Sequence, residues 1–328
     1  MGRKAFVTGG TGFIGINLLE LLVQKNWDVT VLHRPSSDTR WIRQLPVHFT
    51  TGSITDLSSL EKAVPDDTDV IFHLAGDTNL WRGHNDRQRR VNVEGTANMV
   101  QIAGKKGVRV FIHTSSTSAW GTMSGKRVTE QLPQEGHASR VNYELTKWEG
   151  EQIVLEQAPD SMKVVILNPA AVTGPYDLKN WGRLFFALRD GKLPGTPDGI
   201  ISVNHVREVA QAHLSAVDKG RDRERYILAG EDCRFSEFVA EIAHASGIES
   251  VPKRIPTPLL KFLASVQGVV AALRRTEPSL TPELVKIMTR SNLSFSSQKA
   301  IEELNYQIIP MKQSVRETYR WLKSEELL

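Results

Sequence analysis

The fold is decided at Thr8-Gly9-Gly10-Thr11-Gly12-Phe13-Ile14-Gly15, where a short apolar run, Ala5 to Val7, meets an amphipathic stretch. The apolar run predicts a buried strand, and Ile14, Leu18 and Leu22 recur with helical spacing. Glycines at such a turn leave room for a ligand, and the helix N-terminus offers free N–H groups. A strand, glycine loop and helix in this order are the context of a dinucleotide fingerprint. We expect a pyrophosphate site at Gly9, Thr11, Gly12, Phe13, Ile14 and Gly15.

The first half of the chain alternates short apolar runs with helical patterns. Strands are predicted at Ala5–Thr8, Asp28–His33, Val47–Thr51, Val70–Ala75, Val108–Ser115 and Lys163–Asn168. Helices are predicted at Phe13–Lys25, Leu57–Ala63, Arg87–Lys105 and Ser139–Gln157. Such alternation predicts an α/β fold with a doubly wound parallel Rossmann sheet, whose ligands lie at the carboxyl ends of the strands.

The alternation ends near Gly174, after which glycine and proline punctuate short helical patterns. This change predicts a smaller, mostly helical C-terminal substrate lobe. The expected division is an NADP-binding Rossmann domain over residues 1–173 and about 200–230. The substrate-binding lobe would comprise residues 174–199 and 231–328.

Composition narrows the class of protein. The 328 residues carry 41 Lys and Arg against 37 Asp and Glu, and the basic residues form no long run, so no nucleic-acid partner is expected. A single cysteine, Cys233, and the absence of an apolar leader favour a cytoplasmic protein. Pro258–Leu273 is too short to cross a bilayer and contains Lys261, so no transmembrane segment is predicted. Burial of this segment is favoured, with membrane-surface contact, helped by Arg274 and Arg275, as the alternative.

The residues after the second and third strands indicate which dinucleotide the protein would bind. An acid after the second strand would bind the ribose hydroxyls of NAD, whereas Arg34, which stands there, suits the 2′-phosphate of NADP. Arg40 is a weaker candidate for a second phosphate contact. Asp56, followed by Leu57, could accept from the adenine amino group or cap the helix that follows. NADP(H) is therefore favoured over NAD(H).

Tyr143 and Lys147 bear on the reaction. They are spaced i and i+4 on a predicted helix and so share one face. An ammonium near a phenol stabilises the phenolate and lowers its pKa, which would let the hydroxyl act as acid or base near neutrality. The preceding strand ends in Thr114-Ser115-Ser116 on the ligand side, where a serine hydroxyl can bond a substrate oxygen.

Six motifs now stand in one order along the first half. They are the glycine loop Thr8 to Gly15, His73-Leu74-Ala75-Gly76, Asn92-Val93-Glu94-Gly95-Thr96, Thr114-Ser115-Ser116, Tyr143-x-x-x-Lys147 and Asn168-Pro169-Ala170. With them the chain resembles the extended short-chain dehydrogenases/reductases of the NAD-dependent epimerase/dehydratase superfamily. Within that family it most resembles the dihydroflavonol-4-reductase-like branch of ketone and aldehyde reductases.

The resemblance implies a role for each matching residue. Tyr143 would give a proton to the carbonyl oxygen, and Lys147 would lower the pKa of Tyr143 and hold the nicotinamide ribose. Ser116 would align the substrate, helped by Ser118. Asn92 would brace the site or a water, or simply join a helix to a strand. Cofactor contacts are also expected from Leu57, Leu74, Ala75, Gly76, Pro169, Ala170 and Val172.

The chain departs from the family pattern in places. Gly76 replaces a commoner alanine, which we expect to be harmless, and Trp120 replaces a tyrosine or small residue and could alter the pocket. His205 and Glu208 stand where an aspartate is frequent, which leaves their role open. Candidate pocket aromatics, for which core packing is an equal alternative, are Trp81, Trp120, Tyr176, Trp181, Phe185 and Phe186.

The leading hypothesis is NADPH-dependent reduction of a ketone or aldehyde by a Ser-Tyr-Lys mechanism. A nucleotide-sugar epimerase or dehydratase with bound NAD(P) is the first alternative. Arg34 disfavours the epimerase, and Thr117-Ser118 in place of an acidic pair disfavours the dehydratase. The second is a non-catalytic NADP-sensing protein, disfavoured because the acid–base set is complete. The expected partner is a small carbonyl or alcohol compound, with no metal, and the protein is expected to be a monomer or homodimer.

Overall fold

The computed structural model describes residues 2–123, 125, 127–274, 276–278, 280–290 and 293–328, with side chains omitted at 272–274. The strands are β1 Lys4–Thr8, β2 Asp28–His33, β3 His48–Thr51, β4 Val70–His73, β5 Val110–Thr114, β6 Arg127–Val128, β7 Lys163–Pro169, β8 Ala171–Thr173, β9 Ile200–His205, β10 Glu224–Leu228, β11 Glu231–Arg234 and β12 Ser294–Phe295. The α-helices are α1 Phe13–Gln24, α2 Leu57–Ala63, α3 Asn85–Arg89, α4 Gly95–Lys105, α5 Asn142–Gln157, α6 Arg183–Arg189, α7 Val206–Lys219, α8 Phe235–Ala245, α9 Thr257–Arg274, α10 Pro282–Met288, α11 Gln298–Leu304 and α12 Met311–Ser324.

A parallel sheet forms the centre of the molecule. Within the described residues it has seven strands in the order β10-β7-β5-β4-β1-β2-β3. The order reverses at β1, between β2 and β4, which is where doubly wound sheets open a crevice for ligands. The predicted doubly wound Rossmann sheet is confirmed, and all six predicted strands lie in it. The seventh, β10, is added at the edge beside β7.

Helices cover both faces of the sheet because the strand residues alternate between two apolar cores. In β7, Val165 and Leu167 pack into the core that α1 and α7 cover, whereas Val164 and Ile166 pack into the core under α2, α4 and α5. This period of two follows from the pleat, which points successive side chains to opposite faces. Burial on both faces explains why the strands are continuously apolar.

A small mixed sheet, in which β9 pairs with β8 and β11, lies apart from the central sheet, and the elements packed on it are called the second lobe. Residues of α6, α8 and α12 form its apolar core. The α9 and α10 helices pack on each other through a separate small cluster. Among the described residues, no helix is both long and apolar enough to cross a membrane.

The predicted helix Arg87–Lys105 differs most from its expectation. The structure divides it into α3, a π-helical turn at Arg90–Glu94, and α4. A π turn widens the helix locally and occurs often at functional sites. Here it holds Asn92, which is 4% exposed and forms hydrogen bonds with the segment after β4.

Candidate active site

The glycine loop makes a tight turn at the end of β1. Gly9 has φ +74°, and the Gly12 N–H donates to the Gly9 carbonyl at 2.9 Å. Gly12 is exposed and precedes α1 without a capping side chain from the described residues. The first N–H groups of α1 are therefore left for an external acceptor, which is how helix N-termini bind phosphate.

At two positions of this loop there is no room for a side chain larger than that of glycine. A Cβ on Gly15 would lie 2.2 Å from the Gly9 carbonyl oxygen, and a Cβ on Gly9 would lie 2.6 Å from the Ala75 nitrogen. The loop therefore packs directly on Leu74 and Ala75, which follow β4. Thr8 strengthens this contact, because its Oγ1 accepts from the Ala75 N–H at 3.3 Å and bonds His73 Nδ1 at 2.8 Å.

The two arginines after β2 have different surroundings. Arg34 is exposed directly after the strand, and its guanidinium has no ion-pair partner among the residues described. Arg40 is paired with Asp38, since its Nε donates to the carboxylate at 2.7 Å. The two candidates thus differ, because Arg40 is already paired with a carboxylate and Arg34, within the described part of the chain, is not.

Asp56 caps α2. Its Oδ1 accepts from the N–H groups of Ser58 at 3.0 Å and Ser59 at 3.2 Å. These bonds lower the pKa of the exposed Asp56 carboxyl. Of the two roles considered for Asp56, helix capping is seen directly. Leu57, the first residue of α2, packs beside the core under that helix.

Ser116 and Tyr143 meet where β5 ends. Ser116 follows β5, is 8% exposed, and its Oγ accepts from the Ser118 N–H at 3.1 Å. Tyr143 lies in the first turn of α5, close enough to Ser116 for the serine side chain to act on the pKa of its hydroxyl. The short helical turn after Ser116 therefore places Ser118 beside the Ser116 hydroxyl.

Lys147 lies one helical turn after Tyr143 and is buried. Its Nζ donates to the Thr114 carbonyl at 3.0 Å, at the carboxyl end of β5. A Cβ on Gly76 would lie 3.4 Å from this Nζ, so the amine also touches the segment after β4. Burial lowers the pKa of Lys147 to about 8, and the carboxylate of Glu151 opposes this shift.

The expected pKa of Tyr143 needs correction. The structure raises the pKa of the Tyr143 hydroxyl, because burial disfavours the phenolate more than the bond to Ser116 favours it. The negative charges of Asp77 and Glu144 add to the increase. Lys147 is directed to the Thr114 carbonyl and does not reverse this direction. In this structure Tyr143 is thus a protonated hydroxyl at neutral pH.

Asn92 braces the segment after β4. Its Oδ1 accepts from the Asp77 N–H at 2.7 Å, and its Nδ2 donates to the Asp77 carbonyl at 3.0 Å and to Thr146 Oγ1 at 3.1 Å. Thr146 precedes Lys147 on α5, so Asn92 fixes Gly76 and Lys147 relative to each other. An alanine at Gly76 would place its Cβ 3.5 Å from Asn92 Oδ1, an ordinary contact, which agrees with the harmless departure expected.

Glu151 is a site residue that the sequence analysis missed. It is fully buried one turn beyond Lys147 and accepts four hydrogen bonds. Its Oε1 accepts from Ser115 at 2.5 Å and Asn168 at 2.6 Å, and its Oε2 from Gln134 at 2.8 Å and Arg225 at 2.6 Å. The i+4 spacing from Lys147 was the available signal, because it sets both side chains on one face of α5.

The residues that follow β7 complete this edge of the sheet. Asn168 Nδ2 also donates to the Ser116 carbonyl at 3.1 Å, which ties the end of β7 to the residue after β5. Pro169 ends β7, Ala170 donates its N–H to the Leu228 carbonyl at 3.0 Å, and Val172 is buried in β8.

Several candidate pocket aromatics belong to apolar cores instead. Trp120 is fully buried, and its Nε1 donates to the Leu132 carbonyl at 3.1 Å. Phe185 is 1% exposed and packs in the core of the second lobe with Trp181 beside it. Tyr176 packs on two tryptophans and bonds Glu20. Core packing, the alternative considered for each residue, is what the structure has here.

Other residues line the crevice at Tyr143. They come from the loop after β4, from the start of α5 and from α10, and they include Asn79, Arg82, Arg140 and Glu283. An ion pair joins two of these residues, Arg82 and the buried Glu283. His205, in contrast, caps α7 by accepting from the Arg207 N–H at 3.1 Å. Its Nε2 lies 3.0 Å from the Glu317 carboxylate, so His205 has a structural role.

Comparisons with known proteins agree with this architecture. Residues 5–229 match the model of the NAD dependent epimerase/dehydratase family. A putative dihydroflavonol 4-reductase of Synechocystis sp. is 28% identical over 97% of this chain and 94% of that protein. Sterol demethylase protein B of Methylococcus capsulatus is 30% identical over 84% of each chain. The crystal structure of gox2253 superposes with a TM-score of 0.85 at 28% identity and covers both chains completely.

Proposed function

Because the chain belongs to the NAD-dependent epimerase/dehydratase family of extended short-chain dehydrogenases/reductases, we propose that it reduces a ketone or aldehyde with NADPH. The observation that carries the proposal is the meeting of Ser116, Tyr143 and Lys147 beside Gly76, next to the glycine loop. The dihydroflavonol 4-reductase name of the Synechocystis relative supports a carbonyl reductase over a sugar epimerase.

The residues present fit a dinucleotide. Uncapped N–H groups of α1 and the exposed Gly12 suit a pyrophosphate, and the space beside Gly9 and Gly15 admits no side chain. Arg34 suits a 2′-phosphate through charge-assisted hydrogen bonds. Asp56 in its cap, together with Leu57, Leu74 and Ala75, would line the adenosine half. When bound, the cofactor supplies a hydride to the carbonyl carbon.

The side chains of this protein would then supply the proton for the reduction. Tyr143, protonated at neutral pH, donates its hydroxyl proton to the carbonyl oxygen as negative charge develops there. The Ser116 hydroxyl bonds the same oxygen and orients it. The Lys147 ammonium stabilises the phenolate that remains and holds the ribose hydroxyls, while Asn92 and Glu151 keep Lys147 in place.

The direct test is to mix the protein with NADPH and a panel of aldehydes and ketones and to monitor NADPH consumption by its absorbance. Turnover on at least one carbonyl compound supports the proposal. Tightly bound NAD with turnover of a sugar nucleotide would identify an epimerase instead. Cofactor binding without turnover on either panel would identify a sensing protein.

Arg34→Ala is expected to weaken NADPH binding about 10- to 100-fold, because charge-assisted hydrogen bonds contribute about 1.5–3 kcal/mol. NADH binding should stay within about twofold, since NADH lacks the phosphate. Arg40→Ala is the matched control, and its effect should be small because Asp38 already pairs with Arg40. Titration of each variant by cofactor fluorescence measures both affinities. Equal losses for NADPH and NADH would contradict the role of Arg34.

Glu151→Gln is expected to move the alkaline limb of kcat/KM to lower pH. Lys147 loses its proton as the pH rises through its pKa of about 8, so activity should fall above that pH. The Glu151 charge raises this pKa, and its removal therefore brings the fall to lower pH. Glu149→Gln, which removes a carboxylate of α5 that pairs with Arg89, is the control and should leave the limb in place. No displacement in Glu151→Gln, or equal displacement in both, would refute the positioning role.

A further inference from the structure

The α9 helix is apolar on two faces, although it packs on only one. Leu260 and Ala264 are buried and, with Val285 of α10, form the small cluster that attaches the helix. Ala271 is 3% exposed on the same side. The opposite side carries the α9 stripe, which consists of Leu259, Phe262, Val266, Val269 and Val270.

The α9 stripe is continuous and well exposed. At 3.6 residues per turn its five members fall within an arc of roughly 100°. Phe262 is 64% and Val269 62% exposed, and the other three members are 42–48% exposed. Single exposed apolar residues need no explanation, but five on one helix face mark an interaction surface.

The sequence segment that carries the stripe has charges of one sign. Residues 251–276 contain five basic residues and no acidic one: Lys253, Arg254, Lys261, Arg274 and Arg275. Lys253, Arg254 and Lys261 are exposed, and Arg254 lies 3.8 Å from Asp198. Arg275 lies outside the described residues, and Arg274 is described by its backbone alone. A second copy of this face would bring like charges together, which disfavours self-association.

We propose that the α9 stripe docks on an anionic lipid bilayer, with α9 lying in the plane of the interface. A helix with Phe, Leu and Val on one face and basic residues around it has the composition of an interfacial helix. Anionic headgroups complement the local charge. Typical protein–protein interfaces carry about one hydrogen bond per 100–200 Å², whereas the five stripe residues have apolar side chains.

The helix that carries the stripe is a neighbour of an element of the proposed active site. The α10 helix packs on α9 and carries Glu283, which lines the crevice at Tyr143. A bilayer docked on the stripe would therefore be separated from α10 by α9 alone. The relation to an active site rests on the proposed function, whereas the docking itself is tested without turnover.

Sedimentation with phosphatidylcholine vesicles, with and without phosphatidylglycerol, tests the proposal on the full chain. The protein should bind the anionic vesicles and be released by salt. Phe262→Ser should weaken binding about tenfold or more, since burial of one large apolar side chain contributes 1.5–3 kcal/mol. Lys261→Gln should weaken it about fivefold, which corresponds to about 1 kcal/mol per basic residue.

Ile308→Ser is the matched control, because Ile308 is an exposed apolar residue, at 45%, outside the stripe. It should bind vesicles as the unchanged protein does, and Phe262→Ser should keep the thermal stability and the activity on water-soluble carbonyl compounds. Absence of vesicle binding by the unchanged protein, or equal binding by Phe262→Ser, overturns the proposal. Self-association that Phe262→Ser abolishes, without vesicle binding, overturns it in favour of a second copy.

Discussion

Tyr143→Phe should lower kcat by about 10²- to 10⁴-fold while the protein stays folded and binds NADPH, because only the proton donor is removed. The aromatic ring keeps its packing in the first turn of α5. The substitution should slow only the chemical step, so kcat and kcat/KM should fall by the same factor. Steady-state kinetics on a reactive aldehyde, with cofactor binding measured separately, gives both values.

Tyr226→Phe provides the matched control for that experiment. Tyr226 is buried in β10, and its hydroxyl donates to Glu303 at 2.6 Å and accepts from the Arg221 N–H at 3.0 Å. Its loss should reduce stability by about 1 kcal/mol with little change in activity. Tyr143→Phe that keeps more than about a tenth of the activity would exclude Tyr143 as the proton donor.

The second large effect is expected for Gly15→Ala. The new Cβ would lie 2.2 Å from the Gly9 carbonyl oxygen and 2.8 Å from the Gly10 Cα, and both are backbone atoms. The loop must therefore shift, at a cost of about 1–3 kcal/mol or more, and cofactor binding should be lost with it. Thermal unfolding and NADPH titration measure the two consequences.

Gly12→Ala separates the two consequences. Gly12 is exposed, and its Cβ would meet only the Gly9 carbonyl oxygen, at 3.2 Å. The melting temperature of the Gly12→Ala variant should stay close to that of the unchanged protein. NADPH binding should fall, because the new methyl group would stand where the pyrophosphate approaches. Unchanged binding in both variants would show that the loop does not hold the cofactor.

The fold could be predicted from local signals. The glycine loop, the apolar runs and the caps all act within a few residues, and so β2 and α2 have the bounds that the sequence predicts. The sheet order then follows from parallel connections. The edge strand β10 was harder to place in the sheet, because 54 residues separate the end of β7 from its start.

The site was predictable only in part, because its supports come from distant residues. Glu151 accepts a hydrogen bond from Arg225, which is 74 residues away in the sequence. Arg82 donates to Glu283, which is 201 residues away. The pKa of Tyr143 likewise depends on burial by the folded chain, which spacing along a helix does not reveal. The position of Trp120 in the sequence suggests a pocket residue, yet the fold buries its side chain completely.

The central claim is that Ser116, Tyr143 and Lys147 act together on a bound dinucleotide. A crystal structure of the complex with NADP⁺ tests it most directly. We expect the pyrophosphate at the N-terminus of α1, and the ribose hydroxyls of the nicotinamide half within about 3.2 Å of Lys147 Nζ and Tyr143 Oη. A complex with the nicotinamide away from these groups, or with the cofactor bound elsewhere on the protein, would contradict the account.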